Sequence, residues 1–581
     1  MTFDPSRPFV LLDDASRGGA ARLFTGLTAE IVARTPAEVR PALDRLRGGG
    51  TYAGFIGFEA GYALEPVLAP LARTGNDGLP LLWFGDFAES AVVDAAALLG
   101  DGAARIGALA PGIDEADYAA MLGDAAALIA AGDIYQANLT FAARVGVAGH
   151  PLAIYRRLRA AAAAPYAALV HTGSAWLLSL SPELFFALDG GQLTARPMKG
   201  TAPRGATRAD DDAAAAALAA DPKNRAENLM IVDLLRNDLS RVAEAGSVAV
   251  PKLFAVERYP TLLQMTSTIT AMTAAHPVDV LAALFPCGSI TGAPKIRAMQ
   301  VIAELEPGPR GVYTGSIGHI SPTDEVGSSA TAAFNVAIRT LVLNGDGSAR
   351  IGLGAGIVAD SVAADEWREC LAKGAFLHRR ASPDIIETLR CEGGSVALLD
   401  RHLARAAATA DYLGYDFDAG EVRGAVVAAA EGMSGRLRLL VSPRGAVAVQ
   451  VSPLPPAPPA PVEVALAPLP VAPTDWRLRH KTTDRGFYDD ARTASGAFEV
   501  IFTTPGGAIT EGSFTNVFVP RDGVLLTPPL ALGLLPGVLR AELVATGRAV
   551  DAPLTPADLA GGFMIGNALR GLIAARLRPP G

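Results

Sequence analysis

Lys199 is the residue whose setting most strongly suggests chemistry. It stands in residues 196–201 (RPMKGT), a turn bounded by proline and glycine that follows the strand-like run 192–195. A lysine held by such a turn and shielded from water loses its proton more readily, and the neutral amine can attack carbon. Most lysines are solvated surface charges. The prediction of a nucleophile therefore depends on the residues that accompany Lys199.

Several carboxylates accompany this lysine. Glu183 lies between two apolar, strand-like runs, where burial would raise the pKa of its carboxyl and let it donate a proton. Glu366, Glu369 and Lys373 recur at i, i+3 and i+7, so they share one face of a helix. That face can be a surface ion-pair ladder. Together with Glu227, it can also supply oxygen ligands for Mg2+ and an ammonium for a substrate carboxylate.

Three further features suit an anionic ligand. The glycine-rich run 352–356 does not open a dinucleotide-binding unit, so we interpret it as a strand end whose N–H groups can approach a carboxylate. Ser289 precedes a predicted helix N-terminus, which favours anions. Arg339 can hold a carboxylate through two hydrogen bonds. Each feature can equally be a structural cap or a surface charge.

A second set of residues suits pyridoxal phosphate (PLP). Lys481 stands in HKTT (480–483), Glu511 in TEGSFTN (510–516), and Arg405 in a predicted helix. PLP needs a lysine for its aldehyde, an acid against its ring nitrogen, and cations or N–H groups for its phosphate. The run 535–540 (LPGVLR) supplies a helix N-terminus for that phosphate. Each residue alone is more often a surface charge, and the ordered set carries the prediction.

The elements that would position the first set form an α+β domain over residues 1–380. Strands predicted at 166–171, 333–343 and 350–358 alternate with long helices, including one or two within 208–243 and one that Pro294 opens.

A junction at 381–384 leads to a second unit, residues 384–581. We predict subdomains at 384–452 and 475–581, joined by a proline-rich linker at 453–474 that acts as a semi-rigid spacer.

Composition narrows the class of protein. The chain has 581 residues, half of them apolar, and a net charge of −9, which gives no reason to expect nucleic acid or an anionic membrane as partner. Three scattered cysteines show no metal or disulfide spacing, so a reducing cytoplasm is expected. Neither an export signal nor an 18-residue apolar stretch is present.

The first 380 residues resemble the chorismate-utilising enzymes. The runs that carry the resemblance occur in the family's order: SPELF (181–185), RPMKGT (196–201), ENLMIVDLLRNDL (227–239), GSITGAPKIRAM (288–299), GVYTGSIG (311–318), AIRT (337–340), GAGIVADS (354–361) and EWRE (366–369). With a lysine at position 199, the chain resembles aminodeoxychorismate synthase component I, whereas anthranilate synthases usually carry alanine there. Isochorismate-forming relatives usually have a lysine where this chain has Gln136, so water activation is not expected.

The resemblance implies an α/β sandwich with large antiparallel sheets and a role for each matching residue. Glu183 becomes the acid that protonates the departing hydroxyl and Lys199 the nucleophile. Glu227 and Glu369 become magnesium ligands, with Glu366 beside them. The implied contacts to chorismate are Gly200, Thr201, Ser289, Tyr313, Arg339, Gly354, Gly356 and Lys373. Met198 and Cys287 depart from the family's usual residues.

Residues 384–581 resemble the class IV aminotransferase-like enzymes of PLP fold type IV, through HKTT, TEGSFTNVF, LLPGVLR and GNALRG. The resemblance implies a two-subdomain fold in which Lys481 bonds to the cofactor and Glu511 holds its ring nitrogen. Arg405, Val538, Leu539 and Asn567 would surround the phosphate. The family's usual strands before residue 387 are missing, which leaves Thr388 as a catalytic candidate only.

The two halves together predict a fused enzyme. The first would aminate chorismate to 4-amino-4-deoxychorismate, and the second would eliminate pyruvate to give 4-aminobenzoate for folate. Alternatives are a branched-chain or D-amino-acid aminotransferase as second half, an anthranilate-synthase-like first half, or a non-catalytic dimerisation module. No cysteine lies in a glutaminase elbow (Gly-x-Cys-x-Gly), so ammonia would come from a separate glutamine amidotransferase subunit or from free ammonium. A homodimer through the C-terminal domain is a further expectation.

Overall fold

The computed structural model describes residues 3–16, 20–74, 78–205, 207–259, 262–322, 330–378 and 382–578. By their contacts the residues divide into two compact units. The first unit comprises 1–201, 218–257 and 264–381, and the second comprises 202–217, 258–263 and 382–581. The predicted domain end near Arg380 and the start of the predicted junction lie outside the described residues.

One large sheet dominates the chain up to Lys373, and eighteen of the described strands join it. The strands are β1 (Phe9–Asp13), β2 (Ala20–Ala33), β3 (Tyr52–Ile56), β4 (Leu82–Asp94), β5 (Ala104–Pro111), β6 (Gln136–Gly149), β7 (Tyr166–His171), β8 (Trp176–Ser181), β9 (Leu184–Asp189), β10 (Gln192–Arg196), β11 (Met198–Pro203), β12 (Ala249–Arg258), β13 (Leu262–Met272), β14 (Gly292–Ala293), β15 (Ser316–Ser321), β16 (Thr331–Asn335), β17 (Thr340–Leu343) and β18 (Ser348–Ile357).

Ten helices accompany these strands. They are α1 (Pro36–Arg45), α2 (Ala60–Leu64), α3 (Ala95–Leu99), α4 (Glu115–Ala130), α5 (Pro151–Ala162), α6 (Arg208–Ala220), α7 (Pro222–Ser240), α8 (Pro277–Leu284), α9 (Lys295–Leu305) and α10 (Ala363–Lys373). Helix α7 shows why such a helix docks in one orientation. Ile231, Leu235 and Leu239 recur every four residues and are buried in an apolar cluster with the sheet. This stripe also turns Asn228, which is buried, towards the interior.

Antiparallel pairing sets the register of the first unit. Strands β6 and β18 pair over ten residues, which places Gly354 opposite Thr140 and Gly356 opposite Asn138. Strand β9 pairs with β10 and β16, and strand β8 pairs with β7 and β17. The loop that joins β8 to β9 therefore starts and ends on paired strands, which fixes the position of Glu183.

The structure differs from the sequence prediction in local details. The predicted strand at 333–343 is two strands, β16 and β17, because the chain turns between them and Arg339 adopts a left-handed backbone with φ of 49°. Pro294 is the N-cap of α9, one position before the first helical turn. Strand β15 starts at Ser316, after a turn.

The chain after residue 384 contains a four-stranded and an eight-stranded sheet. Its strands are β19 (Ile385–Glu392), β20 (Ser395–Val396), β21 (Gly435–Val441), β22 (Val447–Ser452), β23 (Val462–Pro468), β24 (Glu499–Thr503), β25 (Ile509–Gly512), β26 (Asn516–Arg521), β27 (Val524–Thr527), β28 (Ala549–Asp551), β29 (Phe563–Asn567) and β30 (Gly571–Leu577). Its helices are α11 (Leu399–Leu413), α12 (Ala419–Ala430), α13 (Gly486–Ser495) and α14 (Val538–Ala545).

The predicted linker at 453–474 is wrong in its extent. It contains strand β23, which pairs in parallel with β24 and β30, and whose Val462 and Val464 are buried. The alternation of buried and exposed residues in this strand is short, and the prolines that precede it dominated the sequence pattern.

The α+β fold with large antiparallel sheets is confirmed. No helix in the described ranges is both long enough and apolar enough to cross a membrane.

Candidate active sites

A buried acid marks the first site. Glu183 follows β8, and its carboxylate oxygen Oε1 accepts a hydrogen bond from the Ser289 hydroxyl at 2.8 Å. Burial raises the pKa of Glu183 to about 7, although Ser289 and the ammonium groups of Lys199 and Lys373 oppose the shift. A carboxyl with such a pKa is protonated in a large fraction of molecules at neutral pH, so it can act as a general acid.

Lys199 lies on β11, where neighbouring side chains fix its backbone. Its carbonyl accepts from the Asn228 amide at 3.3 Å, and Asn228 in turn accepts from the Ser267 hydroxyl at 2.6 Å. Desolvation lowers the pKa of the Lys199 ammonium, and the charge of Lys373 lowers it further against the carboxylates of Glu227, Glu369 and Glu366. The residue is half-buried. Its environment therefore favours the neutral amine.

Gly356 leaves the space that the Lys199 side chain occupies. A Cβ atom at this position would lie 3.1 Å from Lys199 Nζ and 2.9 Å from the Gln136 amide nitrogen. Gln136 is fully buried, and neither polar atom of its side chain has a hydrogen-bond partner. A buried amide with no partner is costly. Gln136 was considered in the sequence only for the comparison with isochorismate-forming relatives. In the structure it lies at the site itself, beside Lys199.

Three charged residues of α10, Glu366, Glu369 and Lys373, form part of the same electrostatic environment. Lys373 Nζ donates to the Gly354 carbonyl at 2.8 Å and pairs with Glu369 at 2.8 Å. Burial acts to raise the pKa of Glu369, but Lys373 outweighs it and the net shift is downward. Burial raises the pKa of Glu366, and the like charge of Glu369 adds to the effect. By their accessible surface, Glu369 and Lys373 are exposed and Glu366 is half-buried, so this helix face is only partly shielded from solvent.

The donor types suit magnesium better than their arrangement does. Glu227, Glu366 and Glu369 offer the carboxylate oxygens that Mg2+ prefers. Within the described ranges, however, no three His, Cys, Asp or Glu side chains are gathered as a metal site. A cation held here would thus need oxygens from a bound substrate.

The other residues predicted to contact substrate lie in several different parts of the first unit. Gly200, with φ of 93°, and Thr201 continue β11 directly from Lys199. Arg339 accepts the Leu180 N–H through its carbonyl at the end of β8. Tyr313 packs its ring against Gly352 and lines a cavity of about 630 Å³.

A cavity of about 560 Å³ in the second unit gathers most of the predicted PLP residues. Its lining includes Thr388, Arg405, Lys481, Glu511, Val538 and Asn567. Leu539, the next residue of α14, is absent from that lining. This volume lies in the range of small-molecule sites.

Lys481 and Glu511 are the titratable pair of this cavity. Burial lowers the pKa of Lys481 to about 7, with Arg485 and Arg405 adding to the shift. Burial raises the pKa of Glu511 to about 7. Glu511 Oε1 accepts from the Tyr488 hydroxyl at 2.8 Å, which fixes the carboxyl in place. Tyr488 was not among the predicted residues, since a single tyrosine in a helix gives no distinctive sequence signal.

A buried carboxylate holds Arg405. Glu387, on β19, accepts from Arg405 Nε at 2.8 Å and from a terminal guanidinium nitrogen at 2.6 Å, and it pairs with His402 at 2.6 Å. The Arg405 charge outweighs burial and lowers the pKa of Glu387 to about 2. Two parallel hydrogen bonds to Glu387 therefore fix the direction of the Arg405 guanidinium. The sequence analysis missed Glu387, although it is adjacent to Thr388.

The phosphate end of the predicted cofactor site is built from backbone. Gly537 caps α14, and a Cβ atom there would lie 1.7 Å from Asn516 Oδ1, so only glycine fits. The first N–H groups of a helix have no partner within it and favour an anion. Asn567 instead uses its side chain on the backbone, accepting from the N–H groups of Leu569 and Arg570. The cavity, the buried lysine–acid pair, Arg405 and this helix start together fit PLP.

Comparison with known proteins agrees with this geometry. The model of the chorismate binding enzyme family matches residues 12–379. The chain belongs to this family. The model of amino-transferase class IV matches residues 384–577, so the chain joins a chorismate-binding domain to a class IV aminotransferase-like domain. The fusion inferred from the sequence is thus confirmed.

The most informative relatives match the first domain. Aminodeoxychorismate synthase of Streptomyces griseus is 48% identical over 254 residues, 43% of this chain and 34% of the relative. Aminodeoxychorismate synthase component 1 of Klebsiella aerogenes is 46% identical over 255 residues, 43% of this chain and 55% of the relative. The chain thus spans about a third to a half of these relatives. Anthranilate synthase component I from Streptococcus pneumoniae superposes with a TM-score of 0.52 at 26% identity, covering 65% of this chain and 94% of that structure.

We predict that Glu183 titrates near neutral pH. Because burial raises its pKa to about 7, the carboxyl should be protonated at pH 5.5 and ionised at pH 8.5. Infrared difference spectra between these pH values should show loss of an acid C=O band, and that component should be missing in Glu183→Gln. Glu511→Gln serves as the matched control, since it removes a separate component. An unchanged difference spectrum in Glu183→Gln would show that Glu183 does not titrate between pH 5.5 and 8.5, which would contradict the prediction.

Proposed function

We propose that the chain converts chorismate and ammonia to 4-amino-4-deoxychorismate, and then eliminates pyruvate from that product to give 4-aminobenzoate, a folate precursor. The observation that carries the proposal is the setting of Lys199. Its amine is driven towards the neutral form in the same environment in which Glu183 is driven towards the neutral acid. The names of the relatives, which are aminodeoxychorismate synthases, support the first reaction.

Each residue of the first site has a task in this scheme. Glu183 gives its proton to the hydroxyl that leaves the ring, so that it departs as water. Lys199 adds its amine to the ring and is later displaced by ammonia. Lys373 and Arg339 hold the carboxylates of chorismate, and the Gly354 and Gly356 backbone lets the substrate approach closely. Glu227 and Glu369 would hold Mg2+ against a substrate carboxylate.

Ammonia would come from a separate glutaminase subunit. Four of the matching relatives carry the name aminodeoxychorismate synthase component 1, which implies a further component. The same division is supported by the sequence, because none of the three cysteines stands in a Gly-x-Cys-x-Gly elbow.

The second site supports elimination from an amine-bearing ring. PLP, when bound, supplies an electron sink for the pair released on loss of a proton. Lys481, whose pKa is lowered to about 7, removes that proton from the carbon that bears the amine. Glu511 keeps the ring nitrogen of the cofactor protonated. Arg405 and the start of α14 hold the phosphate. The main alternative, an aminotransferase, needs a keto acid as second substrate.

Lys199→Ala should abolish the normal amination. Without the amine, turnover to 4-amino-4-deoxychorismate should fall about a hundredfold or more, because the covalent route is closed. Product formation from chorismate, Mg2+ and ammonium can be followed by mass. Lys252→Ala, at an exposed lysine, is the control and should keep wild-type turnover. If Lys199→Ala made the same product at the wild-type rate, Lys199 would not be the nucleophile.

Chelation should separate the two reactions. EDTA should stop consumption of chorismate, because the carboxylates of Glu227 and Glu369 would lose the cation that joins them to the substrate. Release of pyruvate from supplied 4-amino-4-deoxychorismate should continue unchanged. Restored activity on adding Mg2+ is the control. Undiminished amination after exhaustive chelation would refute the metal site.

Lys481→Ala should isolate the first product. The variant should retain amination and accumulate 4-amino-4-deoxychorismate, with pyruvate release reduced by about two to four orders of magnitude for want of the base. Pyruvate and 4-aminobenzoate are measured together. If the wild-type chain releases no pyruvate yet transaminates branched-chain or D-amino acids, the aminotransferase alternative replaces the lyase.

A further inference from the structure

The cavity of the second unit carries more positive charge than a PLP phosphate needs. Its lining contains six cationic side chains, Arg405, Arg436, Lys481, Arg485, Arg492 and Arg570, but only two carboxylates, Asp489 and Glu511. Arg405 has its own buried counter-ion in Glu387. Arg485 stacks on Tyr488 and acts on the charges of Lys481 and Glu511, so it belongs to the deep end. Three arginines therefore remain without a role.

Two of these arginines flank the start of the proline-dense segment. Arg436, on β21, donates from Nε to the Ser452 hydroxyl at 3.0 Å. Arg570, in the turn between β29 and β30, donates to the Pro456 carbonyl at 3.0 Å. Both acceptors are neutral, and within the described ranges neither arginine pairs with a carboxylate. Proline offers a carbonyl but no N–H. The segment thus orients the guanidinium groups without neutralising them, and Pro455 itself lines the cavity.

The third arginine adjoins them. Arg492, on α13, lies over the ring of Phe514 at 5.9 Å, and its buried Nε has no partner. Phe514 accepts a hydrogen bond from Asn567, which also accepts the N–H of Arg570. Arg492 has a loose ion pair at 3.5 Å with Asp489, which is largely exposed although it also lines the cavity. A buried guanidinium N–H without an acceptor is destabilising unless a ligand supplies one.

We propose that Arg436, Arg492 and Arg570, the arginine arc, bind the carboxylate groups of a dicarboxylate substrate in this cavity. The inference deepens the proposed function, because 4-amino-4-deoxychorismate carries two carboxylates. Guanidinium groups hold carboxylates through paired, charge-assisted hydrogen bonds. The arc also disfavours the aminotransferase alternative for branched-chain substrates, because an apolar side chain would desolvate the three cations without replacing their hydrogen bonds.

Isophthalate and benzoate test the arc without any turnover. Both probes lack an amine, and isophthalate has two carboxylates where benzoate has one. They are titrated into the PLP-loaded full-length chain, and the absorbance of the bound cofactor, which reports only on this cavity, is followed. Isophthalate should bind about tenfold or more tightly than benzoate. Arg436→Gln and Arg570→Gln should each weaken isophthalate about tenfold while the cofactor band stays intact.

Arg576→Gln is the matched control. Arg576 lies on β30, six residues after Arg570, but is exposed and paired with Glu463 at 3.0 Å. It should change isophthalate affinity less than about twofold. Equal affinities for the two probes, or equal effects of Arg570→Gln and Arg576→Gln, would overturn the arc. A chain that binds isophthalate through the arc but releases no pyruvate would keep the arc and refute the lyase. Pyruvate release by the wild-type chain, with isophthalate affinity unchanged in the variants, would support the lyase and refute the arc.

Discussion

Both sites depend on holding an amine and a carboxyl in a shared environment that disfavours charge on either. In water the pKa values of lysine and glutamate differ by about six units, so such a pair exists as ammonium and carboxylate, useless as nucleophile and acid. Desolvation lowers the first pKa and raises the second. The pKa values of Glu183 and Glu511 are raised to about 7, and the pKa of Lys481 is lowered to about 7. The pKa of Lys199 is lowered as well. Near neutral pH the neutral forms of Glu183, Glu511 and Lys481 are thus accessible, and burial shifts Lys199 towards its neutral form as well.

Burial does not neutralise every charged group near these sites. Arg405 and Glu387 are also buried, but two hydrogen bonds join them and the pair remains ionised, with the pKa of Glu387 lowered to about 2. Whether a buried carboxyl stays ionised thus depends on whether an oppositely charged side chain hydrogen-bonds to it directly. Paired strands bound the loop that carries Glu183, and an isolated bridge between Ile385 and Thr482 holds the backbone next to Lys481.

Much of the two candidate sites could be predicted from the sequence, because Lys199 and Lys481 both stand in long runs with a distinctive order. Thr388, Arg405, Lys481, Glu511, Val538 and Asn567 do meet in one cavity. What the sequence did not reveal depends on tertiary contact. Glu387 looks like any strand glutamate until α11 places Arg405 and His402 against it. The break between β16 and β17 rests on one left-handed residue, Arg339, in an otherwise continuous apolar pattern. The prolines at 453–461 suggested a spacer, yet their carbonyls form part of a cavity wall.

Gly356 constrains how relatives of this chain can diverge. A methyl group there would press on the Lys199 amine at 3.1 Å and on the Gln136 amide at 2.9 Å, so both would have to shift by a few tenths of an ångström. Once residue 199 is shortened to alanine, one of those two contacts disappears. The two positions are therefore coupled, because the contacts that a side chain at 356 would make depend on which residue stands at 199.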